Sequence, residues 1–154
     1  MVTLDDIDKH ILLELQLDGR LTNQELADRV GLSPSPCLRR VRALEQAGVI
    51  TGYRAVVSPE AVGLSITALV RLTLSSHAQD TVAAVERELR EVPEIVEAYL
   101  LAGDADYLVK VVVASFAAYE VFVRDRLRTI PSLASIETTF AFGTTKPVSP
   151  LPVA

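Results

Sequence analysis

Between Asp5 and Leu17, the apolar residues Ile7, Ile11, Leu12 and Leu15 recur at spacings of three and four. That is one stripe along a helix, and Asp18-Gly19 stops it. Thr22-Asn23-Gln24-Glu25 forms a capping box, with the Thr22 hydroxyl facing a backbone N–H three residues on and Glu25 reaching back. A second helix follows through Leu26, Ala27 and Val30, and Gly31 ends it by tolerating positive φ. Ser33-Pro34-Ser35-Pro36 opens a third, because Ser caps and Pro suits a first turn. Leu38, Val41 and Leu44 are its expected buried face, and Gly48 closes it.

The period changes after Val49. Residues 49–57 are mixed and β-prone, and Ser58-Pro59-Glu60 with Gly63 punctuates a link to a second region. Residues 65–74 alternate, with Ile66, Ala68, Val70, Leu72 and Leu74 on one face of a strand. Residues 79–91 place Val82, Val85 and Leu89 on one side of a helix halted near Pro93. Residues 95–102 and 107–113 are strands joined by the turn Gly103-Asp104-Ala105-Asp106. Residues 116–130 form another amphipathic helix through Phe116, Tyr119, Val123 and Leu127, residues 135–142 return to strand, and 144–154, rich in proline, read as a tail.

The order β-α-β-β-α-β is the ferredoxin-like split unit, so the fold class is α+β: helix-turn-helix at 1–50, a β-linker at 51–63, and a ferredoxin-like domain at 64–143. Two helices cover only one face of such a sheet. Yet Val96, Ala98 and Leu100 alternate with Ile95, Tyr99 and Leu101, and Leu108 and Val112 oppose Val109, Val111 and Val113, so both faces are apolar. The second face is expected to meet another subunit, giving a homodimer.

Composition narrows the chemistry. The chain of 154 residues is 49% hydrophobic and carries a formal net charge of -5, an ordinary globular balance that argues against binding nucleic acid through bulk charge. No apolar run reaches membrane-spanning length, and the acidic start Asp5-Asp6 is unlike a secretory or transit peptide, so the expected compartment is the cytoplasm, with no membrane partner. One cysteine, Cys37, and two histidines, His10 and His77, leave no metal set, and no phosphate-binding glycine motif or nucleophile elbow occurs, so neither metal nor cofactor nor enzymatic activity is expected. Cys37 lacks a resolving partner and reads as structural.

Positive charge is concentrated in one place. Residues 1–54 hold seven basic and eight acidic side chains, but 33–44 carry Arg39, Arg40 and Arg42 with no acid. On the third helix Arg39, Arg42 and Gln46 share a stripe flanked by Arg40. Arg reads guanine bidentately in a major groove, and Ser33, Ser35 and the helix N-terminus suit phosphate. A solvated charged face is the plain alternative.

These residues carry a family resemblance. Asp6-Ile7-Asp8-Lys9-His10-Ile11-Leu12, Asp18-Gly19-Arg20, Gln24-Glu25-Leu26-Ala27 and Val30-Gly31-Leu32-Ser33-Pro34-Ser35-Pro36-Cys37-Leu38-Arg39-Arg40-Val41 resemble the DNA-binding domain of the Lrp/AsnC (feast/famine) transcriptional regulators. Leu44-Glu45 and Gly48-Val49-Ile50-Thr51-Gly52-Tyr53 continue it, and Gly103-Asp104-Ala105-Asp106-Tyr107-Leu108 extends it into the second region. The resemblance implies a winged helix-turn-helix on double-stranded DNA, with Thr22, Asn23, Ser33, Ser35, Pro36, Arg39, Arg40 and Arg42 at the interface. It also implies a regulatory domain for a small effector, usually an amino acid, and dimers that assemble further, often to an octamer.

By chemistry alone, Gly103 permits close backbone approach and the carboxylates of Asp104 and Asp106 suit an ammonium group, although a solvated acidic turn fits too. In the family, the effector lies between dimers against this hairpin, the end of the second regulatory helix and the last strand. The matching positions are Ala102, Gly103, Asp104, Asp106, Tyr107, Arg128, Thr138, Thr139 and Phe140. Arg128 departs from the apolar or amide residue expected there; it either takes an effector carboxylate or closes an ion pair. The alternative to a transcriptional regulator is a small-molecule-binding oligomeric sensor whose N-terminal helices serve protein contacts.

Overall fold

The computed structural model describes residues 3–153. They fall into two units: one runs to Val56 and takes back the chain from Lys146, and the other is Val57–Thr145.

The first unit holds helices α1 (Asp6–Leu17), α2 (Asn23–Val30) and α3 (Pro34–Gln46). Complete capping boxes open α1, on Asp5 and Asp8, and α2, on Thr22 and Glu25. Gly31, at φ 70°, takes the left-handed turn that lets α3 begin three residues later. Ser33 sits at the N-cap of α3 without the side-chain cap bond expected of it. Pro36 stands at the third helical position, whose N–H an N-cap side chain commonly takes, and has no N–H to offer. Instead the Asn23 side-chain amide donates to the Pro34 carbonyl at 2.8 Å, tying the start of α2 to the start of α3.

Ile11, Leu26, Ala27, Cys37 and Leu44 form the buried centre of this unit, with Ile7, Leu15 and Val41 packed around it. The expected buried face of α3 was wrong by part of a turn. Cys37 is fully buried and Leu38 is 37% exposed. Helical positions advance about 100° per residue, so Cys37, Val41 and Leu44 centre one face that leaves Leu38 at its border. Leu outranks Cys as an obvious core residue in a sequence, whereas small thiols fit where helices approach closely.

Two further expectations change here. Residues 49–57 contain no strand: strand backbone needs a hydrogen-bonding neighbour, among the described residues this segment pairs with no strand, and Val56 is fully exposed. A 3-10 turn, Glu60–Val62, follows it. The C-terminal segment is docked: Gln16 donates to the Leu151 carbonyl at 3.4 Å and accepts from its N–H at 2.6 Å, and Val153 packs against the helical core.

The second unit contains β1 (Ile66–Leu74), α4 (Gln79–Glu91), β2 (Ile95–Leu100), β3 (Tyr107–Val113), α5 (Phe116–Asp125) and β4 (Leu133–Ala141), with a 3-10 turn, Leu127–Thr129, after α5. The sheet order is β2-β3-β1-β4, every neighbour antiparallel, as the split unit requires. Ala68, Val70, Leu72, Tyr107, Val109 and Val111 pack beneath Val85 and Leu89 of α4 and Tyr119 and Phe122 of α5. Fully burying each such aliphatic side chain contributes about 1.5–3 kcal/mol. Phe116, expected in this core, is 62% exposed, and Phe122 takes the buried place. A register shift between Ile95 and Glu97 breaks the simple alternation read for β2. It puts Ala98 and Leu100 opposite Val109 and Tyr107 on the helix side, and Glu97 and Tyr99 opposite Lys110 and Leu108 on the other. That other face mixes Leu69, Leu108 and Tyr99 with the ion pairs Arg71–Glu137 and Lys110–Glu97.

Candidate functional site

One face of α3 is turned away from the core. Ser35, Leu38, Arg39, Arg42, Ala43 and Gln46 line a shallow groove of about 370 Å³. Ser35, Arg39, Arg42 and Gln46 lie within about 60° of one another around the helix axis and about 170° from the buried Cys37. Core packing therefore turns them outward. Among the described residues, Arg39 and Arg42 have no ion-pair or hydrogen-bond partner, so their charge is free for an anion or a base edge.

Arg40 differs. Its Nη1 lies 2.8 Å from Asp5 Oδ2 and 2.7 Å from Asp8 Oδ1, and it sits about 130° round the helix from the outward stripe. Arg40, expected at the interface beside that stripe, is turned instead to two acids 35 and 32 residues away in sequence. Asp8 and then Asp5 hold the guanidinium charged even above its ordinary range. The Asp8 backbone N–H, with Arg40 adding to it, lowers the Asp5 carboxyl. Of the other expected interface residues, Thr22 and Asn23 are engaged in the cap of α2 and in the bond to Pro34, while Ser33 and Ser35 are exposed and Pro36 half-buried at the start of α3. Cys37 is buried in the core, and burial pushes its thiol up, away from thiolate character.

In the second unit the candidate effector residues divide into two groups. Ala102, Gly103 and Asp104 are exposed in the β2–β3 turn, which the Leu101 N–H closes onto the Asp106 carbonyl at 2.8 Å. Asp106 is already committed: its Oδ2 accepts from the Leu74 N–H and its Oδ1 meets His77 Nε2, each at 2.7 Å. The Leu74 amide, and then His77, hold that carboxyl below the usual range. A loop histidine and an acid 29 residues apart give no local signal. Tyr107 is 3% exposed and faces the core, with burial raising its phenol.

The other group surrounds α5 and the outer strand β4. Phe116, Tyr119, Glu120, Val123, Arg124, Arg128 and Phe140 line a groove of about 510 Å³. Phe140 meets the rings of Phe116 and Tyr119 edge-on at 5.0 and 5.1 Å, and the Tyr119 hydroxyl is hydrogen-bonded to Thr138. Arg124 is taken by Glu120 and Asp125, whereas Arg128 has no partner among the described residues. Thr139 pairs with Leu69 on the opposite sheet face, since successive residues of a strand point to opposite sides. The β2–β3 turn and β4 lie at opposite ends of the strand order. A single chain therefore does not gather the two groups around one ligand.

Residues 4–51 match the family model for winged helix-turn-helix DNA-binding, and residues 67–151 match that for the Lrp/AsnC ligand binding domain. The chain is 42% identical over 135 residues to the leucine-responsive regulatory protein of Escherichia coli strain K12, an alignment covering 88% of this chain and 82% of that protein. It superposes on a Neisseria meningitidis transcriptional regulator crystallised with L-Met at a TM-score of 0.92, 39% identity and 97% coverage of each chain. The leucine response regulatory protein of Mycobacterium tuberculosis gives a TM-score of 0.81 at 38% identity, covering 94% of this chain and 96% of that one. With both halves matched, this chain belongs to the Lrp/AsnC family of DNA-binding transcriptional regulators.

Proposed function

We propose that this regulator reads double-stranded DNA with the outward stripe of α3 and changes its assembly or DNA binding when an amino acid occupies its second unit. The observation that carries the reading is the unpaired Arg39 and Arg42 on a helix face opposite the buried Cys37, in a chain of net charge -5. Arg39 and Arg42 read base edges, Ser35 and Ser33 meet phosphate, and two copies engage half-sites about one helical turn apart or a multiple of it.

The copies pair through the sheet face bearing Leu69, Leu108 and Tyr99, and dimers associate further, to an octamer, in the cytoplasm. The amino acid binds where such copies meet, so that the exposed Asp104 turn of one chain and the Arg128–Phe140 groove of another face one ligand. Arg128 takes its carboxylate and Asp104 its ammonium group. The relative bound to L-Met supports an amino-acid effector. The protein acts by binding and not by catalysis.

The test uses a duplex selected by the wild-type protein from a random pool. An Arg39→Ala, Arg42→Ala double variant is expected to lose about 2–6 kcal/mol of affinity, 30-fold or more, in a fluorescence anisotropy titration. Wild-type affinity in a folded double variant would remove the assignment of α3.

A further inference from the structure

Arg40 stands on the helix that reads DNA, but its surroundings give it a different task. Asp5 and Asp8 cap the start of α1 for one another: Asp5 Oδ1 accepts from the Asp8 N–H at 2.8 Å, and Asp8 Oδ2 from the Asp5 N–H at 3.3 Å. The two oxygens left over both point at Arg40 Nη1. All four carboxylate oxygens are thus engaged, two on backbone and two on one guanidinium nitrogen. The network is partly shielded, with the Asp8 side chain 17% exposed and that of Arg40 32%. The positive end of α1 stabilises the two negative charges that meet there.

We propose that Asp5, Asp8 and Arg40 form a rotational stop for α3, making Arg40 a positioning residue of DNA recognition and not a DNA contact. The inference rests on the assignment of α3 as the reading helix. Cys37, Val41 and Leu44 hold one side of α3 against the core and choose which face is outward, but apolar burial is non-directional, and the exact angle is left to directional contacts. Asn23 fixes only the first turn, through Pro34. Arg40, in the middle of the helix, is anchored to two carboxylates that are themselves fixed to the backbone of α1, and this sets the angle at which Arg39 and Arg42 leave the surface. Specific readout depends on that angle, whereas attraction to phosphate does not.

The obvious rival is a latent phosphate ligand restrained by its acids, and it predicts effects of opposite sign. In the titrations, Asp5→Asn, Asp8→Asn, the double variant and Arg40→Gln are measured on the selected duplex and on a scrambled duplex of the same composition, from 50 to 200 mM salt. Asn caps a helix about as well as Asp, so Asp5→Asn removes charge while keeping the helix start. For the double variant and Arg40→Gln, the expected result is a fall of tenfold or more in preference for the selected duplex. The dependence of log affinity on log salt should stay unchanged, and Arg40→Lys should restore most of the preference because one ammonium group can reach both carboxylates.

Tighter binding of both duplexes by the Asn variants, or a salt dependence reduced in Arg40→Gln by about one per protomer, would make Arg40 a phosphate ligand and overturn the proposal. A preference within twofold of wild type in every variant would overturn it too. Should Arg40→Gln not fold, the Asp5→Asn, Asp8→Asn double variant decides the question by the same outcomes. If Arg39→Ala, Arg42→Ala abolishes recognition while these variants do nothing, only this inference fails; if that pair does nothing, the DNA-reading assignment fails first.

Discussion

The face of α3 and the candidate effector region are organised in opposite ways. The first is completed by 13 consecutive residues: one side of the helix is buried, the other necessarily faces out, and the free cations fall on the outward side. The second is scattered over a turn at one end of the strand order and a groove beside the outermost strand at the other. A DNA-reading surface can belong to one chain because its ligand is large and comes to it. A site for a small zwitterion has to enclose its ligand, and here a single chain supplies only separated walls.

The sharpest contrast concerns folding, because the second unit has a complete core even though its proposed site is incomplete. Leu72 is fully buried between β3 and β4, and Leu72→Ala is expected to cost about 2–5 kcal/mol in urea unfolding. A loss below 1 kcal/mol would mean that this core depends on other copies for its packing. The next prediction tests whether the scattered walls share one ligand. Arg128→Ala and Asp104→Ala should each weaken the amino acid that most raises the melting temperature, by roughly 10- to 150-fold, the range for a hydrogen bond to a charged group, while DNA affinity without effector stays unchanged. Calorimetry in which only one of them weakens binding would separate the turn from the groove. The smallest effect concerns the first unit alone. Gln16→Ala removes both hydrogen bonds to Leu151 and should lower stability by about 1–3 kcal/mol at most, at about 0.5–1.5 for each, leaving DNA affinity within twofold of wild type. A larger loss of DNA affinity would show that the helical unit needs its returning segment in order to read.

The same contrast explains what could be read from sequence. Capping boxes at Thr22 and Glu25, the left-handed Gly31 and the alternation from Ile66 to Leu74 are local signals, and the corresponding elements appear where expected. The errors arose where local signals compete or where the partner is distant. Cys37 and Leu38 are adjacent, and the choice between them rotates the assumed face of a helix. The bulge between Ile95 and Glu97 is invisible in a run of β-prone residues. Arg40 with Asp5, and His77 with Asp106, are pairings across 35 and 29 residues. Of the candidate sites, the outward stripe of α3 is legible from helical spacing, whereas the pairing of Arg40 with Asp5 and Asp8 is not. The effector positions came from family resemblance, since neither Gly103-Asp104 nor Arg128 announces a ligand by itself.

The return of the C-terminal segment to α1 has a consequence for the order of events during synthesis. The three helices precede Val57–Thr145 in the chain, yet Leu151 and Val153, which bond and pack against them, follow it, so the helical unit is completed only after the second unit has been made. The completion of the helical unit therefore waits on the second unit, and a truncation that removes Leu151 would be felt at α1, more than a hundred positions earlier in the chain.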